Sequence, residues 1–358
     1  MNKSELFDEL LKLAPSEWNS DFRKHLSNKL YNYLDLLSRF DESERLDDWD
    51  NILLNIRKIV SNIIETVKRC YEGQSSSAYS IFKSSLYKNF VSNDNYEIIN
   101  EKVSLFRMRY FEPDDDEKPV RKSLFHIPFD KRGIVKTQRY SAPGYPCLYL
   151  GLSIYTCWEE MHRPMVGRCF VSYFKCTENL KMLNLSILDR ETFCSDVTEF
   201  KSFLKRFPLI IATMIKVNKN KDFFKPEYII PQLLMEWIIE LHKSKKIDKT
   251  QKPIGIVYTS VHINKQLEFP QAVFYNFAIP AISPFSGKYS KELCDYFLLT
   301  EPTSEELEKV RGTFSSASNI YLYSKDDPNK YGSSLFGILE KQLRNEELFP
   351  LQKLNYKE

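Results

Sequence analysis

The 358-residue chain carries 51 basic and 48 acidic side chains, a formal net charge of +3, and is 42% hydrophobic and 14% aromatic. This much apolar and aromatic material sets the disordered class aside, and near-balanced charge leaves no global field to draw the chain onto specific nucleic acid or an anionic membrane. No stretch reaches the roughly 18 apolar residues of a spanning helix, and the acidic, amphipathic opening MNKSELFDELLKL lacks the form of a secretory signal, so a cytoplasmic location and no membrane partner are expected.

The first part of the chain reads as helices. Leu6, Leu10 and Leu13 keep one face apolar, then Phe22, Leu26, Leu30, Leu34 and Leu37, then Ile52, Ile56, Ile59, Ile63 and Val67. Acidic, turn-prone residues from Asp41 to Asp48 and the Gly73 to Ser77 stretch separate these segments. A helical domain over 1–95 is expected. Beyond it, β-type runs lie at Val103 to Arg109, Cys147 to Gly151, Phe170 to Tyr173, Ile254 to Tyr258 and Ala272 to Phe277. Helical stretches at Ser153 to His162, Val197 to Val217 and Pro231 to Leu241 fall between them, with Pro231 suited to a first turn. The fold class expected is α+β, with a mixed domain over 96–345 and a tail over 346–358.

Seven cysteines, an odd number without a CxxC pair, suit reduced buried thiols, and their spacing matches no zinc knuckle, so no metal is expected. The segment from Phe125 to Glu160, FHIPFDKRGIVKTQRYSAPGYPCLYLGLSIYTCWEE, places Lys131, Arg132, Lys136 and Arg139 before a Pro143-Gly144 turn. Guanidinium and phosphate match as bidentate partners, so such a loop suits a pyrophosphate, although a solvated basic surface has the same composition. Glu159 and Glu160 follow on a helix, about 100° apart around its axis, so one cleft admits one of them.

The combination resembles the RES family of NAD-degrading toxins, in the longer form with a helical N-terminal extension. The resemblance rests on Leu105-Phe106-Arg107, on Arg139-Tyr140-Ser141-Ala142-Pro143-Gly144-Tyr145-Pro146-Cys147-Leu148-Tyr149-Leu150, on Glu160, and on Tyr258-Thr259-Ser260-Val261. His262 stands where the family often has Arg, and a sizeable insertion lies between Met161 and Lys252. The resemblance implies an ADP-ribosyltransferase-like domain that breaks the nicotinamide-ribose bond of NAD, with water or phosphate as acceptor.

It further implies catalytic roles for Glu160, Ser260 and Arg107. Substrate contacts are implied for Arg139, Tyr149, Tyr140, Lys136 and His126, although a lone histidine in an aromatic-proline setting also suits a hydrogen-bonded structural residue. NAD is then a substrate, and no cofactor is expected. Transfer of ADP-ribose to a macromolecule and a catalytically silent NAD-binding module are the competing readings. A protein antitoxin, self-inhibition by the N-terminal helices and homo-oligomer formation are the partners left open.

Overall fold

The computed structural model describes residues 1–90, 95–112, 119–218, 222–245, 247–248, 252–262, 274–282, 288–305 and 328–351. In chain order, helices α1 (Lys3–Leu11), α2 (Phe22–Ser38), α3 (Trp49–Tyr71) and α4 (Ser75–Phe90) precede strands β1 (Tyr96–Ile99), β2 (Leu105–Tyr110) and β3 (Cys147–Gly151). Helix α5 (Ile154–Glu160), strands β4 (Cys169–Cys176) and β5 (Leu180–Leu185), and helices α6 (Arg190–Ser195), α7 (Val197–Thr213) and α8 (Ile229–Lys243) follow. The chain continues through β6 (Gly255–Thr259), β7 (Tyr275–Pro280), α9 (Lys291–Tyr296), β8 (Phe297–Leu299), α10 (Leu335–Asn345) and β9 (Phe349–Pro350). The fold class is α+β. Among the described residues no helix is long and apolar enough to cross a membrane.

The chain forms two compact units that alternate along the sequence. One comprises Met1–Glu97, Gln138–Tyr140 and Leu183–Pro253; the other comprises Ile98–Thr137, Ser141–Met182 and Ile254–Glu358. This interleaving departs from the sequential division at residue 95 and reassigns much of the stretch between Met161 and Lys252. The cause lies in α7, where Phe203, Leu204 and every residue from Arg206 to Thr213 are buried. A helix apolar on all sides needs cover on all sides. In the first unit α2 and α3 supply it: Tyr33 sets its ring 5.1 Å from Phe207 and donates its hydroxyl to the Leu204 carbonyl at 2.6 Å. The anticipated stripe of Ile52, Ile56, Ile59, Ile63 and Val67 is buried in the same unit. Asp21 and Asp196 cap α2 and α7 by accepting from first-turn amides.

The second unit holds strands β2, β3, β4, β6, β7, β8 and β9 whole, in the sheet order β6-β7-β3-β2-β4-β8-β9. The pairs β6–β7, β7–β3, β3–β2, β2–β4, β4–β8 and β8–β9 are all antiparallel. One sheet face buries Leu105, Leu148, Leu150, Val257, Phe277 and Ile279; the other buries Phe106, Met108, Val171 and Tyr173 against Ile154 and Trp158 of α5 and Leu339 and Leu343 of α10. β2 pairs with β4 from Leu105↔Phe174 to Tyr110↔Cys169, but meets β3 at the single pair Phe106↔Gly151.

Two glycines fix the geometry around β3. Pro143-Gly144 forms a tight turn, with the Tyr145 amide donating to the Ala142 carbonyl and Gly144 at φ +81°, which favours glycine. At Gly151 a Cβ atom would lie 2.7 Å from Cys157 Sγ, so the absent side chain lets α5 rest on the strand end.

Candidate active site

Helix α5 opens with Ser153, whose hydroxyl oxygen accepts from the Thr156 amide, and ends on Glu160. Across the sheet, Tyr258 of β6 pairs with Asn276 of β7, and Asn276 pairs with Gly151 of β3. Ser260, two residues beyond Tyr258, therefore shares the face of Asn276. This register brings Glu160, Ser260 and Asn276 together. Glu160 Oε1 accepts from Ser260 Oγ at 2.5 Å and from Asn276 Nδ2 at 2.8 Å. Ser260 Oγ in turn accepts from the His262 amide at 3.1 Å.

Ser260 and Asn276 are buried at 1% and 4% exposure, whereas Glu160 is half-buried. The serine proton is committed to the carboxylate, which makes Ser260 an orienting donor rather than a nucleophile. Both donors are neutral, and Glu160 forms no ion pair among the described residues, so its negative charge is held in place without being cancelled. Such a carboxylate suits stabilisation of positive charge developing on a bound ligand. Asn276 was absent from the sequence-level site. Its one signal is a polar amide in the otherwise apolar strand YNFAIP.

Arg107, on β2, has a buried Nη1 without a hydrogen-bond partner. Burial, reinforced by the neighbouring Arg109 charge, pushes its guanidinium down to about 10. A half-buried cation with such an unpartnered buried nitrogen favours an anionic ligand. Cys157 of α5 lies within electrostatic reach of both Arg107 and Glu160. Tyr149 shares the sheet face of Gly151 and Asn276, and its hydroxyl donates to Ser141 Oγ at 3.3 Å. Lys136 is exposed in this same unit.

Three of the sequence-level assignments take a different form. Arg139 and Tyr140 belong to the first unit. There Arg139 Nη1 donates to the Thr213 and Ile215 carbonyls at 2.7 and 3.0 Å, satisfying the end of α7, and the guanidinium lies 5.5 Å over the Tyr228 ring. Tyr140 is fully buried in that unit rather than presented to a ligand. His126 is fully buried as well, and its two ring nitrogens are occupied by backbone: Nδ1–H donates to the Ile127 carbonyl at 2.8 Å and Nε2 accepts from the Ser290 amide at 3.0 Å. Burial, with the Arg107 charge adding, pushes its imidazolium down to about 4, so the ring is a neutral structural element.

Glu159 points away from this cluster, as the helical spacing requires. It is buried and pairs with Arg163 at 2.9 Å. Arg163 and His162 take φ of +58° and +60°, a left-handed turn held by the Trp158 indole donating to the Pro164 carbonyl at 2.9 Å. His162 thereby meets His262 edge to face, their ring centroids 5.1 Å apart. The cysteines are free thiols, and the described residues contain no group of three or more His, Cys, Asp or Glu arranged to hold a metal.

No protein-family model matches the sequence, and no solved structure matches it. The chain is 31% identical over 307 residues to a Bacillus subtilis (strain 168) protein named "Putative toxin YopC". The match covers 80% of this chain and 66% of that protein, so the chain spans just under two thirds of the relative's length.

Proposed function

We propose that the protein is a toxin enzyme of the RES type that cleaves the nicotinamide-ribose bond of NAD and passes the ADP-ribosyl group to water or phosphate. The observation that carries this reading is the Glu160 carboxylate, fixed by Ser260 and Asn276 and without an ion-pair partner among the described residues. The RES-like motif supports this role for Glu160 and Ser260, and the name of the Bacillus relative, "Putative toxin YopC", supports a toxin. In this reaction the carbon–nitrogen bond breaks with its electron pair going to the nicotinamide ring nitrogen. That neutralises the pyridinium and leaves positive charge on the ribose. Glu160 stabilises that charge and holds a ribose hydroxyl, as carboxylates do in glycoside hydrolysis. Arg107, half-buried on β2, supplies the cation for the substrate's phosphates. The acceptor oxygen bonds to the anomeric carbon, and a water acceptor gives its proton to solvent.

The decisive experiment incubates purified protein with NAD and a chelator, with and without phosphate, and resolves the products by chromatography. Free nicotinamide with ADP-ribose, or with its 1-phosphate when phosphate is present, is the expected result. Glu160→Gln should lower single-turnover release by about 100-fold or more while calorimetric NAD binding changes little. Intact NAD after prolonged incubation with folded protein overturns the reading, and ADP-ribose found on protein or nucleic acid redirects it to macromolecule modification.

A further inference from the structure

Helix α5 has seven residues, about 10 Å of rise, so the direction set at its first turn decides where Glu160 stands. A helix this short has little internal cooperativity, and its first amides need partners from outside. Ser153 serves the Thr156 amide. The two preceding amides are served from the far end of the chain. Ile154 N donates to Glu340 Oε1 at 2.8 Å, and Tyr155 N donates to the Tyr331 hydroxyl at 3.4 Å.

The two acceptors are themselves joined, because the Tyr331 hydroxyl donates to Glu340 Oε1 at 2.7 Å. Arg344 closes the arrangement: Nη2 donates to Glu340 Oε2 at 3.0 Å, Nε donates to Ser104 Oγ at 3.0 Å, and the guanidinium lies 5.4 Å over the Phe106 ring of β2. Glu340 is 5% exposed, and burial holds its carboxyl above the usual range. A surface cap would not require burying a carboxylate. Here a negative charge sits at the positive end of the α5 dipole and ties that end to both α10 and β2. Trp158 of α5 and Phe336 of α10 pack at 5.6 Å beside it.

We propose that Glu340 is a positioning residue for Glu160: from α10 it fixes the first turn of α5, and through the roughly two turns of that helix it sets the carboxylate against Ser260 and Asn276. The proposal rests on the NAD-cleaving reading of the site. It predicts loss of turnover without loss of substrate affinity, because Glu340 serves the geometry of the reacting carboxylate and touches no ligand.

The test measures nicotinamide release and NAD binding for full-length Glu340→Ala, Glu340→Gln and Tyr331→Phe, each checked for folding by thermal melt. Glu340→Ala should lower kcat by about 10- to 100-fold, the scale of a displaced catalytic group, with KM and calorimetric Kd within about threefold of wild type. Glu340→Gln keeps an oxygen for Ile154 N and should restore most of that loss. Wild-type kcat in folded Glu340→Ala, or a change confined to KM, overturns the proposal. Should Glu340→Ala fail to fold, Tyr331→Phe decides: reduced kcat at unchanged Kd supports it, and wild-type kcat overturns it. A wild-type protein that releases no nicotinamide overturns the NAD reading itself, and with it this role. Release by wild type with normal release by the variants removes this role alone.

Discussion

Glu159 and Glu160 are consecutive residues of one helix with different tasks, and the difference follows from rotation about the helix axis. Glu160 meets the ends of β6 and β7, whereas Glu159 turns inward to Arg163. Glu159→Gln should therefore leave nicotinamide release near the wild-type rate and lower stability by roughly 1 kcal/mol, the scale of a charged hydrogen-bonded partner lost at a half-exposed arginine. Urea unfolding beside the release assay checks both; loss of activity without loss of stability would place the reacting carboxylate one residue earlier. His126 gives a pH signature. Its folded value of about 4 lies below the ordinary 6.5, so its contribution is complete above pH 6.5 and is lost as pH falls through 4. Wild type should lose about 3 kcal/mol relative to His126→Gln between pH 7 and pH 4, measured as the gap between their urea unfolding free energies. Reading the difference matters because Glu340, whose carboxyl is raised, contributes in the opposite direction: its stabilisation is present at low pH and is lost as pH rises. A gap independent of pH would show that His126 is not buried neutral. Sequence spacing was enough to separate Glu159 from Glu160. It could not show Arg139 turned to the Thr213 and Ile215 carbonyls, because a motif records residue order and not which backbone groups lack partners.

At the scale of elements, the legible parts were those whose periodicity and propensity agree. The α3 stripe, β3 over Cys147–Gly151 and the first-turn Pro231 of α8 stand where the pattern put them. Strand β5 did not, because its sequence LKMLNL is rich in residues that favour helix, and pairing within the sheet overrides that local preference. The contact between β3 and α5 was equally hidden, since it depends on an absent side chain. Gly151→Ala would force a Cβ to within 2.7 Å of Cys157 Sγ and 3.1 Å of the Ser153 carbonyl. The expected outcome is a loss of about 1–3 kcal/mol from overpacking, together with reduced nicotinamide release as α5 lifts and carries Glu160 with it. Adding Cys157→Ala removes the nearer obstacle, so the double variant should recover part of both losses. Melting curves and release rates for the two singles and the double provide the cycle; strictly additive effects would mean that the sulfur does not set the spacing.

At the scale of the whole molecule, the alternation of the two units changes what a truncation does. A chain cut at Tyr96 would look like clean removal of a helical extension if the first 95 residues formed a domain alone. The core of that unit instead includes α7, whose Phe200, Phe203 and Phe207 are fully buried among residues of its Met1–Glu97 and Leu183–Pro253 stretches. Phe193 meets Phe7 at 5.1 Å, and Arg190 pairs with Asp8, so α1 also leans on the later helices. Deleting residues 1–95 would leave α6, α7 and α8 with large apolar faces open to water, and patches of that kind drive association. The Tyr96-onward chain should therefore form soluble aggregates or precipitate, bind a hydrophobic dye and lack a sharp melt. Supplying residues 1–97 as a separate polypeptide during refolding should restore solubility, with the two pieces eluting together from a sizing column. A truncated chain that runs as a monodisperse monomer with a cooperative transition would show that the Leu183–Pro253 helices hold together without their N-terminal partners, and the chain would then divide at residue 95 as its sequence first suggests.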